Sequence, residues 1–169
     1  MREPLCRNYN MSRQWKIIEK MVAIVLLIWG TLYTGIKIST LMAAMEGTLY
    51  YHKPNPTAAE FIWSRHNEFV TGIISVIGAI GLILNKRFGW FLAIISSTFF
   101  GILMTIVILR DDGADHPLFS ITASLVIVFI TCSFLLLCGP LRIKYKPTQA
   151  SWVLIFFSII ALIADFLIF

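Results

Sequence analysis

The 169-residue chain is 58% apolar and only 14% charged, with a mean hydropathy of +0.82, which excludes a water-soluble globular domain, because so few polar side chains cannot cover its surface. The net charge of +5 calls for no nucleic-acid partner, since the basic residues flank apolar runs, where they act as orientation signals and sit well against anionic lipid headgroups. The lipid bilayer is the expected partner, and a cell membrane, plasma or bacterial inner, the expected location.

Residues 1–20 form a basic leader with Arg2, Arg7, Arg13, Lys16 and Lys20. The apolar run that follows, 21–44, is too long for a cleavable signal-peptide core of about 7 to 15 residues, so it is expected to remain as a first span. Further runs over about 69–84, 90–109, 118–138 and 152–168 approach the roughly 20 residues that a helix needs to cross hydrocarbon. The fold class expected is therefore all-α: a polytopic membrane helix bundle of five transmembrane helices in a single domain, 1–169. With the N-terminus inside, the inner segments also hold Lys86, Arg87, Arg142, Lys144 and Lys146, whereas the outer loops hold only Lys53, Arg65 and Arg110. That imbalance predicts an inner N-terminus and an outer C-terminus.

Lys37 interrupts the first run. Seventeen residues beyond Lys20, at about 1.5 Å each, it lies roughly 25 Å across the membrane. Two readings are open: its stem carries the ammonium to the outer headgroups, or it pairs with Asp165, which a similar count along the last run places at like depth. Gly30, Thr34 and Ala44 share a face with Lys37, and Ser158 and Ala161 share one with Asp165, so small residues surround both charges. Such faces suit contact with protein better than contact with lipid. An intramembrane ion pair would clasp the first and last spans.

The first outer loop, 46–67, contains Thr57 followed three residues later by Glu60, a capping box that predicts a short interfacial helix. The third run carries Gly89, Ala93, Ser97, Gly101 and Thr105 at every fourth position. Such a ladder lets another helix approach closely, either within the chain, where Gly72, Ser75, Gly78, Ala79 and Gly81 are available, or in a homo-oligomer. The segment 85–88 joins these two runs as a tight hairpin.

The outer side holds His52, His66 and His116 and six of the nine acids. A divalent cation there would draw on His66, Glu68, Asp111, Asp112, Asp115 and His116. Asp111-Asp112-x-x-Asp115 resembles the magnesium-binding motif of prenyl-transferring enzymes; the resemblance stops at those three residues, and a solvated acidic turn, which agrees with the charge asymmetry, is the favoured reading. Cys6, Cys132 and Cys138 form no C-x-x-C and read as small apolar fillers. The G-x-S-x-G, H-E-x-x-H, Walker A and dinucleotide fingerprints are absent from the sequence, and no residue is singled out as catalytic.

Three functional classes follow. The first, and the one the packing motifs favour, is a non-catalytic component of a membrane assembly. The second is a small-solute or ion transporter using Thr31, Tyr33, Thr34 and Ser96 to Thr98. The third is a membrane enzyme with a metal at the outer mouth.

Overall fold

A computed structural model of the chain describes residues 12–46, 57–64, 66–110 and 119–168. These are helical almost throughout, as α1 (Arg13–Met45), α2 (Ala58–Ser64), α3 (His66–Ile83), α4 (Arg87–Arg110), α5 (Phe119–Leu137), α6 (Gly139–Tyr145) and α7 (Gln149–Ile168). Three of them, α1, α4 and α5, are long and apolar enough to cross a bilayer; α6 and α7, bent by 111° to one another, make a fourth if taken together as one broken span. The apolar part of α3, Phe69–Ile83, reaches only about 22 Å against about 30 Å of hydrocarbon. The architecture is a helical bundle with three to four candidate spans.

α1 begins at Arg13, ahead of the apolar run that starts at Met21, because the leader carries apolar positions in helical register. Trp15 and Ile18 pack against the core that Val22, Ala23 and Leu26 continue. At 33 residues the helix is about 50 Å long, more than the hydrocarbon requires. The short helix α2 starts as its capping box dictates: the Glu60 amide donates to Thr57 Oγ1 at 3.3 Å, and the Thr57 amide to Glu60 Oε2 at 3.0 Å.

The α3–α4 connection is held by backbone chemistry. Asn85 adopts φ 54°, a left-handed conformation that asparagine tolerates better than most residues. This lets the Asn85 amide donate to Leu82 O at 2.9 Å and the Lys86 amide to Gly81 O at 2.7 Å, the double bond of a Schellman C-cap. Beyond the turn the helices nearly touch: a Cβ placed on Gly81 would lie 2.5 Å from the Gly89 Cα. Only paired glycines fit there.

α6 lies within the basic segment between the last two apolar runs. Pro140 occupies its first turn, Arg142 and Lys144 its last, and Lys146 ends it at φ 43°; proline at the start and cations at the end suit both the unpaired first amides and the helix dipole. Pro147 follows. Thr148 and Ser151 then cap α7 reciprocally, with the Ser151 amide donating to Thr148 Oγ1 at 3.3 Å and the Thr148 amide to Ser151 Oγ at 3.1 Å.

The helix α4 occupies the middle of the bundle, packed by α3, α5 and α7, while α1 packs chiefly on α3. Its buried face carries Trp90, Ala93, Ile94, Phe99 and Phe100. Trp29, Tyr33, Phe100 and Phe129 form an aromatic cluster across α1, α4 and α5, with centroid separations of 5.1 to 6.2 Å. Among the described residues the surface beyond this core is largely Ile, Leu, Phe and Met, including Leu32, Ile127, Phe134 and Phe157, as a lipid-facing exterior requires.

Candidate functional site

Among the described residues, a connected polar cluster lies at the end of the bundle formed by the start of α1, the α3–α4 turn and α6. Glu19 shares a helical face with Trp15, Val22, Ala23 and Leu26, so the turn of α1 that buries those residues buries its carboxylate too, to 4% exposure. Two donors from α6 meet it. Lys144 Nζ lies 2.7 and 2.6 Å from the two carboxylate oxygens, and the Tyr145 hydroxyl donates to Oε1. The same ammonium donates to Asn85 Oδ1 at 2.5 Å, so the residue that shapes the α3–α4 turn also joins the network. Burial and the neighbouring carboxylate push the Tyr145 phenol pKa up, which keeps its proton in place for this bond. Trp90 closes the site from α4: it stacks on Tyr145 at 6.0 Å and donates from Nε1 to Leu136 O at 2.9 Å.

Sequence reasoning missed this cluster. Glu19 was hidden inside a basic leader and Lys144 was counted only as an orientation charge. The available signal was helical spacing: a single acid placed four residues after Trp15 and three before Val22 belongs on the buried face.

The residues that the sequence did single out are distributed differently. Asp165 Oδ1 lies 3.0 Å from His66 Nε2, while His66 Nδ1 lies 2.6 Å from the Trp63 carbonyl oxygen. The ammonium of Lys37 sits 5.3 Å from the centre of the Tyr33 ring. The structure thus brings Asp165 to His66 and Lys37 to Tyr33, rather than Lys37 to Asp165. Rise per residue fixes depth but not direction around the bundle, and α7 packs on α4 and α3. The hydrogen bond to the Trp63 carbonyl, the leading cause, raises the His66 pKa above 6.5; desolvation works against it, and the adjacent Asp165 adds to the rise. Both ring nitrogens face acceptor oxygens, an arrangement that suits the doubly protonated ring.

The ladder on α4 serves two neighbours. Gly89 lies against Gly81, and Ala93 against Gly78, both on α3. One turn further, Ser97 Oγ accepts from Ser133 of α5 at 2.9 Å, and Gly101 faces Phe129 and Ile130 of the same helix. Thr105 turns its hydroxyl back to Gly101 O at 2.8 Å. A four-residue step advances about 40° around a helix of 3.6 residues per turn, so three steps carry the stripe roughly a third of the way round α4.

Of the candidate metal ligands, His66 is engaged with Asp165. The side chain of Glu68 lies outside the described residues, as do Asp111, Asp112, Asp115 and His116. Among the described residues, no group of three or more His, Cys, Asp or Glu side chains is gathered as metal ligands would be.

One further surface stands out on α1. Thr31, Gly35 and Ser39 are exposed at four-residue intervals, and with Leu32, Ile36, Thr40 and Ala43 they line a shallow groove of about 530 Å³. A Cβ added at Gly35 would meet nothing within 4 Å. The apolar helices and their packing are those of a small membrane protein, and no family model, curated protein or solved structure matches this chain.

Proposed function

We propose that this protein is a non-catalytic component, an accessory subunit of a membrane assembly, that takes a partner helix on the exposed groove of α1. The observation that carries the reading is the groove itself. In lipid there is little hydrophobic drive between helices, so close backbone approach at small residues decides association. Leu and Ile fill much of the outer surface, and on this face of α1 Thr31, Gly35 and Ser39 leave the backbone accessible. The groove's two threonine hydroxyls need no outside partner: Thr31 donates to Leu27 O at 2.7 Å and Thr40 to Ile36 O at 2.8 Å, so a helix can dock without stranding either of them. The test is gentle detergent extraction from the native membrane with a C-terminal tag. A membrane protein retained in fixed ratio by the natural chain and lost from Gly35→Leu, with the variant still folded, supports the reading; a natural chain that elutes alone as a monomer overturns it.

The same reading takes the chain as multi-pass, with five crossings and the basic end in the cytoplasm of a plasma or bacterial inner membrane. Protease access to tags at Met1 and Phe169 in intact cells tests it, since equal cleavage at both is incompatible with an odd number of crossings.

A second reading, a small-solute or ion transporter, is favoured by one observation. The Trp29 Nε1 and Thr34 Oγ1 atoms are buried with no hydrogen-bond partner among the described residues, and buried polar groups of native proteins are normally satisfied. Solute flux in reconstituted vesicles decides it. The third reading, an enzyme using a divalent cation at the outer mouth, requires an activity that chelation abolishes.

A further inference from the structure

The end of the bundle that holds Glu19 has one described carboxylate and many cations. Glu19 is the acid, and it is enclosed and engaged by Lys144 and Tyr145. Lys16, Lys20, Lys86, Arg87, Arg142 and Lys146 remain exposed around it. Opposite charge for these groups is not supplied by any other described acid at this end.

Two of the cations are held in place, and against the same turn of helix. An Arg87 Nη donates to Ser151 Oγ at 3.4 Å, and the Arg142 guanidinium lies 5.6 Å from the centre of the Trp152 ring. Ser151 and Trp152 are neighbours at the start of α7, so the two guanidiniums flank one helical turn from α4 and from α6. Each guanidinium has five N–H donors in a fixed fork, and one bond from Arg87 leaves most of that capacity directed outward. This planar fork matches phosphate oxygens in pairs.

The apolar side chains beside these arginines indicate where the phosphate comes from. Phe88, next to Arg87, is 52% exposed, and Ile143, next to Arg142, is 51% exposed. With α6 turned 111° from α7, α6 runs across the bundle end rather than along it. Cations alternating with exposed apolar groups on a segment lying across a bundle end are the chemistry of the headgroup boundary, where one side meets phosphate and the other meets acyl chain.

We infer that Arg87 and Arg142, anchored on Ser151 and Trp152, form a binding surface for the headgroup phosphate of an anionic phospholipid, with the lysines nearby adding attraction for the same leaflet. This site is separate from the α1 groove and does not depend on a partner helix docking there. Juxtamembrane cations are each worth about fivefold in affinity for an anionic surface, so neutralising both arginines is expected to weaken the lipid about 25-fold.

The experiment uses the purified full chain in a neutral detergent, with thermal unfolding followed as short-chain phosphatidylglycerol or phosphatidylcholine is added. Phosphatidylglycerol is expected to raise the midpoint by several degrees where phosphatidylcholine does not, and Arg87→Gln with Arg142→Gln is expected to remove that increment. Equal increments from the two lipids, or an increment unchanged in the double variant, overturn the inference. Inorganic phosphate reproducing the increment at the same concentration overturns the lipid source. Should the double variant not fold, the natural chain still decides: sodium chloride must shrink the phosphatidylglycerol increment, and an increment indifferent to salt refutes an electrostatic site.

Discussion

Replacing Lys144 by methionine removes the cation from a carboxylate that is 4% exposed and leaves Glu19 with the Tyr145 hydroxyl. Breaking a buried pair from one side costs about 3 to 5 kcal/mol, because the remaining charge is stranded out of water. The reverse change, Glu19→Gln, is milder. The side chain of Lys144 is 24% exposed against 6% for that of Glu19, so its ammonium can turn toward solvent and keep its bond to Asn85; about 1 to 3 kcal/mol is expected. The double change Glu19→Gln with Lys144→Met removes both charges together and leaves neither stranded out of water, so its loss should fall at least about 2 kcal/mol short of the two single losses combined. The midpoint of thermal unfolding in detergent, measured by circular dichroism for all four proteins, gives the comparison. Additive losses, or a Glu19→Gln variant less stable than Lys144→Met, would refute the account of an asymmetrically buried pair.

Three other outcomes follow from the geometry. Gly89→Ala and Gly81→Ala should each destabilise the fold by about 1 to 3 kcal/mol, the usual cost of overpacking, whereas Gly101→Ala, whose Cβ would meet Ile130 at an ordinary 3.5 Å, should leave the unfolding midpoint within a degree or two. Asn85→Gly preserves the left-handed turn but removes the acceptor for Lys144, and Asn85→Ala sacrifices both, so the alanine variant should be the less stable by about 1 kcal/mol. His66 has a pKa raised in the folded state, so its contribution is fully present below 6.5 and is lost as pH rises through the folded value. The natural chain should therefore lose stability as pH rises above 6.5, and His66→Asn should flatten the profile; a natural profile that shows no such decline would remove the linkage.

Hydropathy made the class of protein legible, and caps made some of its boundaries legible. Thr57 with Glu60, and the turn after Ile83, are local arrangements in which each residue's partner lies a few positions away, so spacing alone identifies them. The Glu19 cluster and the His66–Asp165 contact join residues 125 and 99 positions apart, and no local pattern encodes which helix faces which. Lys37 and Asp165 illustrate the gap: depth was calculable from rise per residue, but direction depends on α7 lying against α4 and α3. The stripe on α4 was visible as a sequence repeat, while its division between α3 and α5 follows from a rotation that a linear reading hides. α6 escaped because seven residues with two cations resemble an inner loop; only Pro140 and the Thr148–Ser151 cap mark where one helix starts and the next begins.

The paired glycines at the α3–α4 turn have a mechanical consequence. Gly81 and Gly89 hold two helix backbones in contact only a few residues from the turn, and the charged network on Glu19 fastens α1 and α6 to that same end. At the opposite end, His66 of α3 meets Asp165 of α7 in a partly exposed histidine–carboxylate contact. Movement of α7 against α3 is therefore expected to swing about the fastened end, like blades on a rivet, opening toward the place where His66 meets Asp165.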